Sequence, residues 1–262
     1  MSDEWDFYFA TVNENVASLF VDLGIRELAP DPSNPWLLWV WLQFQNPRED
    51  GLSSAEESET LDAIEDSLIE SVENALGGSL VGRITTEGRR EFYFYSPTDE
   101  GLDKAVAKAM MPFADYEFEC GTHNDPEWEH YLGMLYPSPH DWQCMKNRHV
   151  LQELRENGDS LEMERPVLHW AYFPNEESRN QFVAAITERG FELNEQSEQD
   201  DPDPEAESEF PFGVSFQRVD HIDWDTINQI TIELYDLAEA AHGDYDGWET
   251  SVESDVEESQ PE

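Results

Sequence analysis

Few residues of this chain stand at spacings that suggest chemistry. Cys120-Gly-Thr-His123 followed by His140-x-x-x-Cys144 has the pairwise spacing of a four-ligand zinc site, with His130 between the pairs. The competing reading makes Cys120 a small buried hydrophobe ending a strand and places Cys144 on a helix. The two pairs fall in different expected domains, so no metal is expected, and Cys120, His123, His140 and Cys144 are kept only as the set that would hold one. Ser138, His140 and Asp141 supply the residue types of a nucleophilic triad. A triad, however, is assembled in space on a rigid frame, not from neighbours in a proline-rich stretch. His242-x-Asp244-x-Asp246-Gly247 with Glu253 follows a calcium-loop pattern, but with histidine where the first oxygen ligand belongs. The phosphate cradles G-x-G-x-x-G and G-x-x-x-x-G-K-[ST] are absent, as is the G-x-S-x-G elbow. Neither catalysis nor a cofactor is expected.

Charge is more informative. The 262 residues include 60 acidic and 14 basic ones, a formal net charge of −46. Nucleic acids and anionic membranes are recognised through lysine and arginine, so neither is an expected partner. Yet 39% of the residues are hydrophobic and 12% aromatic, too many for an unfolded acidic chain. Two cysteines cannot make a disulfide framework, and the acidic start Met1-Ser2-Asp3-Glu4 lacks the positive charge of a secretory signal. The longest apolar run, Trp36 to Leu42, is far too short to span a bilayer. The expectation is a soluble, cytoplasmic protein. Charge is also polarised: residues 190–262 hold 23 carboxylates and a single base, Arg218. The densest basic spot is Arg83, Arg89 and Arg90, read as balancing local repulsion.

The elements that would position these groups follow from periodicity. Strands are expected at 5–12 and 16–23, joined by the turn Asn13-Glu14-Asn15, and at 36–45. Leu61, Ile64, Leu68, Val72 and Ala75 repeat at helical spacing behind Ser54-x-x-Glu57, which has the form of a capping box. Strands at 79–86 and 91–95 form a hairpin, a helix runs from Thr98 to Pro112, and a strand covers 115–120. From Trp36 the order is β-α-β-β-α-β, that of a ferredoxin-like sandwich. The stretch 121–140, with Pro126, Pro137 and Pro139, reads as a connection. A helix at 142–156 then precedes a second β-α-β-β-α series: a strand at 167–173, a helix starting after Pro174-Asn175, strands at 191–194 and 212–219, and a helix at 224–241. The fold class is therefore α+β, two tandem ferredoxin-like sandwiches, each an antiparallel sheet with helices on one face. Residues 1–138 form one domain and 139–250 the other, with an acidic insertion at 195–211 and an acidic, disordered tail at 251–262. The aromatic strands, Trp36/Trp39/Trp41 and Phe92 to Tyr95, are read as core and not as base-stacking platforms, which need basic charge beside them.

The second half resembles a known family. Gly158-Asp159-Ser-Leu161, Arg165-Pro-Val-Leu-His169-Trp170-Ala-Tyr172-Phe173-Pro174 and Tyr245-Asp246-Gly247-Trp248-Glu249-Thr250 look like the regulator of ribonuclease E activity B (RraB) family. His169, Trp170, Tyr172, Phe173, Gly247 and Trp248 form the structural motif. The first half, through Trp5-Asp6-Phe-Tyr, Gly82-Arg83-x-Thr85 and Gly88-x-x-Glu91, is similar to an uncharacterised domain family often found ahead of it. The resemblance implies a ferredoxin-like protein that binds ribonuclease E and inhibits it without catalysis of its own.

Taken with the charge, it implies an acidic regulator of a basic nucleic-acid-processing partner, modulating RNA turnover. The partner-binding residues expected are Asp200, Asp201, Asp203, Glu205, Glu207, Glu209, Asp246 and Glu249. Trp248 is assigned to the core, with Tyr245 capping the last helix. The alternative is that the acidity serves solubility at high salt, which suits a chain with lysine only at 104, 108 and 146.

Overall fold

A computed structural model describes residues 2, 4–198 and 209–253. They divide into two units, Met1–Asp141 and Trp142–Glu262. Both are α+β, and among the described residues no helix is long and apolar enough to cross a membrane.

In the first unit six strands form one antiparallel sheet: β1 (Trp5–Val12), β2 (Asn15–Asp22), β3 (Trp36–Gln43), β4 (Ser79–Thr86), β5 (Arg89–Ser96) and β6 (Phe118–Asn124). Their order is β1-β2-β4-β5-β3-β6. Strands β3 to β6 with helices α1 (Ser58–Leu76) and α2 (Leu102–Met110) make the expected βαββαβ unit, and the β1–β2 hairpin extends its β4 edge. Helix α1 forms on its apolar stripe: Leu61, Ile64, Leu68 and Val72 are fully buried against Leu38, Val40, Leu80, Phe92 and Phe94 of the sheet. The expected capping box is not made. The Glu57 carboxylate instead accepts from the backbone N–H groups of Gln45 (2.9 Å) and Asn46 (3.2 Å), tying the α1 start to the end of β3.

The stretch 121–140 is not a free connection. Its first residues belong to β6, and the rest folds over the sheet face opposite the helices. Trp128 stacks on Tyr95 with ring centroids 3.9 Å apart, and the Tyr131 and Leu135 side chains are fully buried. Tyr131 donates to the Asp22 carbonyl (2.7 Å), and Tyr8 to that of Leu135 (3.0 Å). The prolines punctuate a strap.

In the second unit α3 (Pro139–Glu156) leads into β7 (Arg165–Phe173), α4 (Glu176–Glu188), β8 (Glu192–Glu198), β9 (Phe212–Asp220), α5 (Trp224–Ala240) and β10 (Asp244–Thr250). The sheet order β10-β7-β9-β8, all antiparallel, is the ferredoxin-like order. Two expectations need correction. Strand β8 runs to Glu198, into the expected insertion. The residues after α5 form a full edge strand, so the second series also closes as βαββαβ. Tyr245 accordingly lies in the sheet, not at the helix end. Asn175 caps α4 by accepting from Ser178 N–H (2.9 Å), and Asp223 caps α5 through the N–H of Asp225 and of Thr226.

Residues 251–253 are tied to the start of β7. Arg165, buried, donates to the Ser251 carbonyl (3.1 Å), and Glu253 N–H donates to Asp159 (2.8 Å). Residues 254–262 lie outside the described residues.

Candidate functional site

The strand motif at 169–173 splits between two faces of the second sheet. Along β7, Val167, His169, Ala171 and Phe173 are fully buried towards the helices, and Leu168, Trp170 and Tyr172 between them are half-buried on the other face. His169 sits among Phe191, Phe216 and Tyr245, and its Nδ1 shares a hydrogen bond with the Tyr245 hydroxyl (2.9 Å). Burial, with the Arg218 charge, pushes the imidazole down to about 3, so it stays neutral. Trp248 is buried among Leu151, Leu154, Val167 and Ile227, and its indole N–H donates to Asn147 (2.7 Å). Asn147, also buried, donates in turn to Asn228 (2.8 Å) and Thr231 (2.7 Å) of α5. Trp248 is therefore core, as expected, and part of a polar network joining α3, α5 and β10. Gly247, at φ 153°, lies at the bulge where Asp246 loses its place in the β7–β10 register.

Asp159 and Arg165 make a buried bidentate pair, with Arg165 Nη2 to Asp159 Oδ1 at 3.0 Å and Nη1 bonded to the other oxygen. The guanidinium holds the Asp159 carboxyl down at about 2. These motif residues brace the start of β7.

The outward face is different. Strand pairing places Glu249, Leu168, Gln217 and Glu192 in one row across the sheet, and Gly247, Trp170, Ser215 and Glu195 in the next. A half-buried apolar strip down β7 is thus bounded by exposed carboxylates on both edge strands. Asp246, exposed at the bulge, stands close enough that its charge, after burial, helps raise the Tyr172 phenol above its ordinary value. Four of the seven lysines and arginines of the unit pair with its own carboxylates: Arg165 with Asp159, Arg179 with Glu176 (3.4 Å), Arg189 with Glu233 (2.5 Å) and Arg218 with Asp220 (2.9 Å).

Of the expected contact residues, Asp246 and Glu249 are exposed beside this strip and Glu209 is exposed where the chain re-enters before β9. Asp200, Asp201, Asp203, Glu205 and Glu207 lie outside the described residues. Sequence reading placed Trp170 and Tyr172 with the structural residues. The strict alternation of β7 is the signal that separates them from His169 and Phe173.

The other candidates are accounted for. Ser138 and Asp141 cap α3, the Asp141 carboxylate accepting from Ser138 N–H (2.9 Å) and Oγ (2.6 Å). Cys120 and His123 lie on β6, His140 and Cys144 on α3, and no three histidine, cysteine or acidic side chains among the described residues group as a metal would need. Asp244 and Asp246 belong to a strand and not to a calcium loop. Arg89 pairs with Glu91 (2.5 Å) and Glu87 (3.4 Å), and Arg83 and Arg90 with Glu65.

Two ferredoxin-like α+β units, the second with an open acidic sheet face, define the class. Residues 3–136 match the family of unknown function DUF695, and the chain belongs to that family. Residues 145–250 match the family described as regulator of ribonuclease activity B. Among functionally curated proteins, none matches the chain. A solved structure described as an unknown protein from Galdieria sulphuraria aligns over 84% of this chain and 99% of that one, at 12% identity with a TM-score of 0.24.

Proposed function

We propose that the second unit binds a basic segment of a ribonuclease, ribonuclease E in the first instance, and restrains it without any catalysis of its own. The observation that carries this is the face of β7, a half-buried Leu168–Trp170–Tyr172 strip between exposed carboxylates. An arginine side chain laid on the Trp170 or Tyr172 ring can reach Glu249, Glu192 or Glu195 one or two strands away. The match to a family of ribonuclease regulators supports the choice of partner. The run of carboxylates at 200–209 adds to the negative charge of this half of the sequence, which speeds encounter with a basic chain. The setting is the cytoplasm, where RNA turns over.

The test is binding of the full chain to purified ribonuclease E, at low and at high salt. Trp170→Ala should weaken binding by ~2 kcal/mol, as expected of an aromatic anchor. Glu192→Lys with Glu249→Lys, a change of four charge units, should slow association, most of all at low salt. None of these side chains is core, so melting should hardly move. Salt-independent binding, or equal binding by the Trp170 variant, would overturn the proposal.

A further inference from the structure

The β1–β2 hairpin of the first unit extends the sheet past the cover of α1. Register carries the helix-facing side outward along Phe92, Arg83, Phe20 and Phe7, and along Arg90, Thr85, Ser18 and Phe9. A cleft of about 310 Å³ lies over this extension, closed on one side by Arg48, Leu52 and Ser53. Its described lining holds Arg48, Arg83 and Arg90 and no carboxylate, in a chain with 60 acidic residues to 14 basic ones.

Two of the three arginines are incompletely neutralised, while the more exposed Arg48 pairs with Asp50 at 2.6 Å. Arg83 and Arg90 share a single oxygen of Glu65, Arg90 at 3.3 Å, with Asp62 at 3.7 Å and largely exposed. Arg90 is 5% exposed, and its Nε has no hydrogen-bond partner. Burial and the Arg90 charge lower Arg83 to about 10, a sign of two cations held close together. A pair serving only stability would need one well-bonded carboxylate per guanidinium. Beside this cationic end stand Phe7 and Phe9, packed edge to face at 5.8 Å and 36% and 50% exposed. Solvent-facing aromatics next to buried arginines give the cleft an apolar end and a cationic one. The hydroxyls of Ser18, Ser53 and Thr85 are spaced between the two ends as further donors.

We propose that this cleft binds a small phosphomonoester with a flat ring at its other end, the phosphate on Arg48, Arg83 and Arg90 and the ring against Phe7 and Phe9. Guanidinium forks suit phosphate oxygens, and aromatic edges suit a planar ring. The site is independent of the ribonuclease-binding face, and neither reading depends on the other.

Calorimetric titration of the full chain with phenyl phosphate, inorganic phosphate and benzoate tests it. Phenyl phosphate should bind, with inorganic phosphate and benzoate each at least ~10-fold weaker because each lacks one half of the match. Arg83→Gln should abolish binding. If that variant loses stability through Glu65, the exposed Arg48→Gln and Phe9→Ser variants decide the matter, each expected to weaken binding several-fold with unchanged melting. Absence of phenyl phosphate binding up to roughly 10 mM, where even weak fragments register, would overturn the proposal. So would equal binding of inorganic phosphate, or affinity unchanged in both exposed variants.

Discussion

Acidification should weaken the second unit through one side chain, His169. In the folded unit its imidazole is fully buried and protonates only near pH 3. In the unfolded chain it protonates near pH 6.5. The folded pKa is the lower one, so between these limits the unfolded state binds the extra proton and stability falls as pH falls. The slope is about 1.4 kcal/mol per pH unit, which gives ~2 kcal/mol between pH 6.5 and 5 and ~5 kcal/mol over the whole window. Relief of carboxylate repulsion in so acidic a chain acts in the opposite direction, so the wild type alone does not isolate the effect. His169→Gln removes the titration and keeps a group able to bond the Tyr245 hydroxyl. Urea unfolding should be followed by the NMR signal of the Trp248 indole N–H, which reports this unit specifically through its bond to Asn147. The stability difference between wild type and variant should shift by ~2 kcal/mol against the wild type from pH 7.5 to pH 5. A difference that stays constant across that range, or a His169 ring that titrates near 6.5 in the folded protein, would refute the reasoning.

Asp159→Asn should destabilise the second unit by ~3–5 kcal/mol, since it leaves buried Arg165 uncompensated. In the wild type the pair's contribution should persist above the ordinary carboxylate pKa near 4 and be lost as pH falls towards 2, a loss of ~2.5 kcal/mol absent from the variant in urea melts. Trp248→Ala should cost ~3–5 kcal/mol in stability, and its folded fraction should bind ribonuclease E as the wild type does. Thermal melts in increasing KCl separate the two accounts of the charge. Strong stabilisation continuing to about 2 M, far beyond what screening alone supplies, together with weak partner binding throughout, would favour the solubility reading.

The βαββαβ core of the first unit and the βαββα part of the second were legible because their signals are local. The α1 stripe repeats apolar residues at helical spacing, and Pro174-Asn175 marks a helix start that the Asn175 side chain caps. Strand β10 was not legible, for a physical reason. Its two buried residues, Tyr245 and Trp248, stand three apart because the bulge at Asp246 inserts a residue, and the alternation that marks a strand is broken. The capping box failed because Ser54-x-x-Glu57 does not reveal that two backbone N–H groups after β3 compete for the same carboxylate. The strap at 125–136 carries Trp128, Tyr131 and Leu135 at helical spacing, a pattern its flanking prolines concealed. That strap marks the difference between two otherwise similar folds. In the first unit, Tyr93 and Tyr95, outward from the helices, are buried beneath His130 and Trp128. In the second, the corresponding face keeps Trp170 and Tyr172 half-exposed, and the described helices all pack on the opposite side. Under the proposed function this uncovered face is the one a partner covers, and the carboxylates along its edges favour a basic partner.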